Sequence, residues 1–337
     1  MPDLAAMEIL PADLAEHRAV KAWRQVCPEL FEPERIEVLK LKKKSAVYRL
    51  TGEGAERSTV IAKRCPAATA SLERMIYEEF LPRLPVPVLR CFGFLPDAGG
   101  EFCWLFIEDA GTHRYSTAND EHRALAARWL GTVHGAPLSA ELRAALPDRG
   151  PRHYLQLLRA STARLRECFD NPELPAAHVE SLRSIVAQCE VIQAHWSEVE
   201  KFWEGLPSRL VHGDFVIKNL RLCSGANGLA LLVYDFEMAG WGVPATDLAQ
   251  FLGKCVSPDL EVYHAALASG GAQLDERDLQ RLADYGNVLR LVDKIFWETV
   301  TMQGDTYEFL LKPLVVLRMY EPQLAAALRA VNWSHHD

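Results

Sequence analysis

Two kinds of hydrophobic spacing divide this chain. Early on, short β-branched runs read as strands: "RIEVLKL" (35–41), "AVYRLTG" (46–52) and "STVIAKRC" (58–65), each separated by polar or glycine-containing turns. The turn "TGEGAERS" predicts that the second and third pair as a hairpin. Helical spacing precedes them in "PADLAEHRAVKAWRQV", with Asp13 as the expected cap, and follows them in "TASLERMIYEEFLPRL". "PVPVLRCFGF" and "EFCWLFIED" add two more apolar runs, and there the strand character largely ends. From about Asn119 the spacing turns helical. "DEHRALAARWLGTVHG" sets Leu125, Trp129 and Val133 on one face. A stripe over 179–203 holds Leu182, Ile185, Cys189, Ile192, Trp196, Val199 and Trp203. Another, in "DERDLQRLADYGNVLRLVDKIFWETV", holds Leu279, Leu282, Tyr285, Leu289, Val292 and Phe296. Strands gathered ahead of helices predict an α+β protein with a small β-rich N-lobe and a larger α-helical C-lobe, not a doubly wound sheet.

Composition adds limits. The 337 residues are 49% hydrophobic and 24% charged, ordinary for a soluble globular chain and enough for two cores. No window approaches the ~18 uninterrupted apolar residues of a membrane span. The N-terminus lacks a basic start followed by an apolar core, so we expect a cytoplasmic protein with no membrane partner. Eight cysteines without a CxxC pair read as free, buried thiols. The net charge of −8 argues against nucleic acid as a partner and mildly favours a cationic ligand.

Chemistry enters where apolar runs end on polar groups. "LVHGDFVIKNLRL" (210–222) carries His212, Asp214, Lys218 and Asn219, and "LLVYDFE" (231–237) ends on Asp235 and Glu237. Phosphoryl transfer from a nucleotide needs a carboxylate to take the acceptor proton, oxygen ligands for Mg²⁺, and a cation to position phosphates. The protein-kinase arrangement supplies these from an H-x-D-x-x-x-x-N loop, a strand-end Asp and a strand Lys paired to a helix Glu. Here Asp214 and Asn219 have that spacing, Asp235 ends an apolar strand, and Lys63 ends "TVIAK". Each residue alone has an ordinary reading as a turn, cap or solvated strand end. Their joint occurrence in this order is what carries the inference.

From about residue 30 to 310 the chain resembles the aminoglycoside phosphotransferase and choline kinase family, small-molecule kinases with a protein-kinase-like two-lobe fold. The resemblance is specific at "HGDFVIKN" and "YDFEMAGWGVPATDLAQF". It implies residues 1–107 as a nucleotide-binding lobe and 108–337 as a lobe with the catalytic loop and acceptor site. It implies Asp214 as catalytic base, Asn219 and Asp235 as Mg²⁺ ligands, and Lys63 as the phosphate-binding lysine. Glu73 matches the helix glutamate that pairs with that lysine, in preference to Glu78 or Glu79, because "ERMIYEEFLPRLPVPVLR" aligns in that register. Backbone groups of Phe106, Ile107 and Glu108 fall where the family's linker binds adenine, and Asp247 where an acid braces the catalytic loop. The phosphate-covering turn "KLKKKSAVY" has no glycine, which makes Ser45 the candidate there and leaves ATP versus GTP open. Lys42, Lys43 and Lys44 either add charge near phosphates or form a solvated turn.

The resemblance implies a nucleotide- and Mg²⁺-dependent kinase whose partner is a small-molecule hydroxyl acceptor. An antibiotic is the first expectation (aminoglycoside, nucleoside or other natural product) and a role in resistance goes with it. The alternatives are a metabolic kinase of the choline or homoserine type and a nucleotide-binding pseudokinase scaffold. Glu204, Asp284, Asp293 and Glu298, in or near the late helices, are the acids that can attract an amine-bearing acceptor. His212 reads as structural, Glu237 as either a metal contact or a surface acid, and Lys218 as a phosphate contact or a solvated side chain. A metal hydrolase built on His212 and Asp214 lacks further His or Cys ligands at suitable spacing.

Overall fold

The alternation read from "AVYRLTG" appears directly in burial: Ala46, Tyr48, Leu50 and Gly52 are buried, and the residues between them only partly covered. The computed structural model of the protein describes residues 7–8, 11–52, 58–225, 228–271, 274–302 and 307–333. Its first elements are β1 (Met7–Glu8), α1 (Pro11–Leu14), α2 (Arg18–Val26), β2 (Arg35–Lys42), β3 (Ser45–Gly52), β4 (Ser58–Pro66), α3 (Ala67–Met75), β5 (Cys91–Pro96) and β6 (Phe102–Glu108). Then come α4 (Asp120–Gly135), α5 (Ala140–Ala145), α6 (Pro151–Glu167), α7 (Ala176–Ala194), α8 (Trp196–Glu204) and β7 (Arg209–Val211). The chain continues through β8 (Leu220–Gly225), β9 (Gly228–Val233), β10 (Gly240–Gly242), α9 (Leu260–Ser269), α10 (Glu276–Thr301) and α11 (Tyr307–Ala330).

The chain forms two compact units. The first comprises Met1–Tyr115, Leu138–Ala145 and Asn219–Met238. Its antiparallel sheet runs β1-β2-β3-β4-β6-β5. β3 and β4 pair down to Thr51↔Thr59 and Gly52↔Ser58, as the predicted hairpin requires; the turn residues 53–57 lie outside the described residues. α2 buries Ala19, Val20, Ala22 and Trp23. Trp23 is fully buried, with the Phe31, Phe106 and Phe92 rings 5.1, 5.4 and 5.9 Å away. Truncating such a side chain costs about 3–5 kcal/mol. The predicted cap is corrected here: Asp13 lies inside short α1, and the longer helix is capped by His17, whose ring nitrogen accepts from the Ala19 amide at 3.2 Å. The helix read over 69–84 forms, but its winding loosens to a π turn over Ile76–Phe80 after α3. The β8–β9 hairpin belongs to this unit, registered at Leu220↔Val233 and Leu222↔Leu231.

The second unit comprises Ser116–Pro137, Leu146–Lys218 and Ala239–Asp337. α4 starts where its sequence predicts, capped by Asn119, which accepts from the Glu121 and His122 amides. All seven stripe residues over 179–203 are buried, yet the stripe spans two helices, because α7 stops at Ala194 and α8 begins at Trp196. In α10, Leu279, Leu282, Tyr285, Leu289 and Val292 are buried and Phe296 only partly so. Gly286 lets α10 approach the segment before Asp247 closely; a Cβ there would lie 2.0 Å from the Ala245 carbonyl oxygen. β7 and β10 pair through Leu210↔Trp241, which holds the start of the "HGD" loop. All eight cysteines are free thiols, and among the described residues no helix is long and apolar enough to cross a membrane.

Candidate active site

The first unit gathers three of the sequence-predicted residues around one ammonium group. β4 turns the Lys63 side chain inward, where it is 5% exposed. Its Nζ lies 2.5 Å from Glu73 Oε1 on α3 and 2.5 Å from Asp235 Oδ1, with Glu237 Oε2 at 3.8 Å. Glu73 is the helix glutamate that reaches the lysine. Glu78 instead pairs with Arg74 at 2.8 Å, and Glu79 is exposed. One cation thus faces three carboxylates. Burial raises the Glu73 carboxyl to about 7; Lys63 opposes the rise, and Asp235 and Glu237 add to it. Burial opposes the charge on Lys63, but the three acids hold its pKa well above the ordinary value. Glu73 Oε2 is buried without a hydrogen-bond partner.

The β8–β9 hairpin brings the two predicted metal ligands to one end. Asn219 immediately precedes β8, its carbonyl accepts from the Tyr234 amide at 3.1 Å, and Asp235 follows directly. Asn219 is 2% exposed. Asp235 holds φ at +67°, the left-handed region that Asp tolerates better than most residues, and such backbone strain concentrates at functional sites. The donors suit a hard cation: an amide oxygen and a carboxylate, in a cluster where negative charge exceeds positive. Among the described residues no three His, Cys, Asp or Glu form a protein-only metal cage. Mg²⁺ commonly takes one or two protein oxygens and completes its shell with phosphates and water.

The second unit holds the other part of the predicted machinery. Gly213 has φ +74°, a conformation glycine adopts freely, and it lets the loop turn after His212. Asp247, fully buried on its short helical turn, accepts from the His212 amide at 2.6 Å and the Gly213 amide at 3.0 Å, with His134 Nε2 at 3.4 Å. Burial works against the charge on Asp247, but His134 and His212 beside it keep its pKa below the usual value. His212 Nδ1 accepts from the Asp214 amide at 3.2 Å, the structural role expected of it. Asp214 Oδ1 accepts from Arg290 Nη2 on α10, and Oδ2 lies 3.1 Å from Lys218 Nζ. Burial alone would raise the Asp214 carboxyl; Arg290 and Lys218 beside it hold it well below the usual carboxylate range.

The remaining candidates are more dispersed. Ser45 starts β3 beside the exposed Lys43–Lys44 turn. It shares strand parity with Val47, which lies directly opposite Lys63, so its side chain belongs to the lysine's face. It also borders a cavity of about 410 Å³ whose lining includes His17, Tyr48, Arg64 and Trp104. Ile107, opposite Ile61, lies on the lysine's face, whereas Phe106, opposite Ala62, is buried against Trp23 on the other. Glu108 is tied to Arg90 through both its amide, donating to the Arg90 carbonyl, and its carboxylate, accepting from the Arg90 amide. Of the four acids proposed to attract an amine, Asp293 is buried with its carboxylate 3.6 Å from Arg290, Glu204 is exposed, and Asp284 and Glu298 are half-buried. Arg290 was absent from the sequence reading. Its signal is a charged i,i+3 pair, Arg290 and Asp293, set inside the apolar run "VLRLVDKIF".

Fold and site together define a small-molecule kinase, a phosphotransferase acting on hydroxyl groups. The chain belongs to the phosphotransferase enzyme family (APH), whose sequence pattern matches residues 35–285. Solved structures share its α+β, protein-kinase-like fold. Spectinomycin phosphotransferase APH(9)-Ia, in complex with ADP and spectinomycin, superposes with a TM-score of 0.62 over 93% of this chain and 97% of that one, at 9% identity. Choline kinase from Cryptosporidium parvum gives 0.58 over 93% and 96% at 10% identity. The macrolide 2'-phosphotransferase of Brachybacterium faecium gives 0.57 over 97% and 100% at 15% identity. No curated protein matches the sequence significantly.

Proposed function

We propose that this chain is an ATP- and Mg²⁺-dependent O-phosphotransferase that moves a γ-phosphoryl group to a hydroxyl of a small molecule in the cytoplasm. The observation that carries the reading is the Lys63 cluster: a strand lysine 2.5 Å from both a helix carboxylate and an acid 172 residues away, with few ordinary reasons to be buried together. Residues 1–107 form the nucleotide-binding lobe in this reading, and 108–337 the lobe of the catalytic loop and acceptor. Lys63, fixed by Glu73, positions phosphate oxygens. Ser45 caps them from the β2–β3 turn, and backbone groups of 106–108 receive the base. Asn219 and Asp235 hold Mg²⁺, which when bound neutralises phosphate charge. The acceptor oxygen attacks the terminal phosphorus as the bond to the bridging oxygen breaks. ADP leaves, and the acceptor proton passes to Asp214.

A natural-product antibiotic is the acceptor class favoured by the likeness to spectinomycin and macrolide phosphotransferases, with resistance as the role. The likeness to choline and ethanolamine kinases supports the metabolic alternative. One observation bears on the choice. Among the described residues, Asp214 is flanked by Arg290 and Lys218, and Asp293 is paired with Arg290, an arrangement that disfavours a polycation beside the base. Acceptors with few positive charges, such as a macrolide, nucleoside, sugar or amino acid, fit those surroundings better than a multiply charged aminoglycoside. GTP in place of ATP has a precedent in an aminoglycoside 2'-phosphotransferase solved with GDP. The test is a nucleotide-consumption screen over aminoglycosides, macrolides, nucleoside antibiotics, choline, homoserine and sugars. Turnover that falls at least tenfold in Asp214→Asn supports the reading. Binding of Mg·ATP without turnover across the panel favours a scaffold instead.

A further inference from the structure

Arg290 lies 76 residues beyond Asp214 in the chain and none of the kinase motifs includes it, yet it bonds both Gly213 and Asp214 of the loop that carries the base. It is 2% exposed on α10. Its Nη1 donates to the Gly213 carbonyl at 2.7 Å while Nη2 donates to Asp214 Oδ1. Asp293, one turn along the same helix, lies 3.6 Å from Nη1, and Arg290 Nε is buried without a partner. The planar fork therefore holds the backbone and the carboxylate of adjacent residues at once. A lysine, with a single point of charge, cannot reproduce that grip. The other Asp214 oxygen faces a different kind of group: Lys218 Nζ at 3.1 Å, on a side chain that is 59% exposed. Arg290 thus grips one oxygen from the protein interior, and Lys218 approaches the other from the surface.

We propose that Arg290 is the positioning residue of phosphoryl transfer: it holds Asp214 Oδ1 and the Gly213 carbonyl together and so sets the direction in which the carboxylate meets the acceptor hydroxyl. The inference rests on Asp214 serving as the base. Arg290 has a second effect through the same contact. Burial alone would push this carboxyl's pKa upward, and the guanidinium works against that and keeps it ionised. The titratable and charged groups around Asp214 include Arg290 and Asp293 from α10, Lys218 and His212 from its own loop, and Lys294 one residue past Asp293. Arg290 is the buried cation among them that makes a direct bond.

The experiment uses the full chain with Arg290→Lys. Mg·ATP binding by calorimetry, turnover with whichever acceptor the screen yields, and titration of the ¹³C-labelled Asp214 carboxyl are measured together. We expect Mg·ATP affinity to change less than about threefold, kcat to fall at least about tenfold with little change in acceptor KM, and the Asp214 midpoint to move upward by about one pH unit or more. A folded variant with kcat within about threefold of the parent overturns the proposal. So does a rate loss matched by an equal loss of Mg·ATP affinity with an unmoved Asp214 titration, because that is general damage. Should the variant not fold, the parent protein still decides: a clamped guanidinium gives separate, slowly exchanging Nη–H resonances for Arg290, and a single averaged signal refutes the clamp. If Asp214→Asn leaves turnover intact, the kinase reading fails as well; if it abolishes turnover while Arg290→Lys does not, only the clamp fails.

Discussion

Glu73→Gln tests the charge balance around Lys63 most directly. The substitution keeps the size of the side chain and an oxygen for the lysine, and removes the ionisation. In the parent, burial raises the carboxyl from 4.5 to about 7, against the pull of Lys63 and with a further push from Asp235 and Glu237. At ~1.4 kcal/mol per tenfold change in proton affinity, that rise is worth about 3 kcal/mol. The folded state holds this proton more tightly than the unfolded chain does. The associated stability is therefore complete below about 4.5 and is lost as pH climbs through about 7. Glutamine has no proton to lose. We expect the two proteins to be nearly equal in stability at about pH 5, and the variant to be more stable by as much as ~3 kcal/mol at about pH 8. Denaturant unfolding of both proteins across that range, followed by circular dichroism, reads the difference. Phosphoryl transfer should fall even as stability rises, because the anchor of Lys63 keeps an oxygen but loses its charge. Parallel stability curves for the two proteins would refute the reasoning, since Glu73 would then be ionised throughout and the three acids would share the lysine without strain.

Lys63→Met should lower Mg·ATP affinity or turnover at least about tenfold while circular dichroism stays native near neutral pH, since Glu73 can take up a proton when its counter-ion is gone; a variant that unfolds instead makes the lysine structural. Asp247→Ala leaves the His212 and Gly213 amides without their buried acceptor and should destabilise the protein by about 2–4 kcal/mol, visible as a lowered melting temperature together with reduced turnover. Gly286→Ala drives a methyl group to within 2.0 Å of the Ala245 carbonyl and should cost about 1–3 kcal/mol, with Asp247 as the nearby functional casualty; an unchanged melting temperature would mean that α10 moves away freely.

Much of the site was legible because its chemistry is written in short motifs. The Asp214–Asn219 spacing, the strand-end Asp235 and the terminal lysine of "TVIAK" are local patterns, and it was the family resemblance of "ERMIYEEFLPRLPVPVLR" that selected Glu73 over its two neighbours. Arg290 was not legible in the same way. An arginine in an apolar helix looks like a position on the wet side, and only the folded packing of α10 shows that this one points inward. The side chains of 106–108 illustrate a related limit: strand alternation separates Phe106 from Ile107, but which of the two shares a face with Lys63 depends on the β4–β6 register. The break between α7 and α8 was hidden because the apolar spacing runs through His195 without a glycine or proline to interrupt it.

The sheet-bearing unit is sewn from three stretches of chain that are far apart, the last of them ending at Met238. During synthesis the strands through β6 leave the ribosome long before Asp235 exists. At ~5–20 residues per second, the 172 positions separating Lys63 from that acid represent roughly 10–30 s of translation. For that interval the nascent domain carries its lysine with one of its two closest counter-ions still unmade. A stalled or prematurely ended chain would accordingly display a sheet that looks finished but has an incomplete electrostatic centre, a state for chaperones and proteases to recognise.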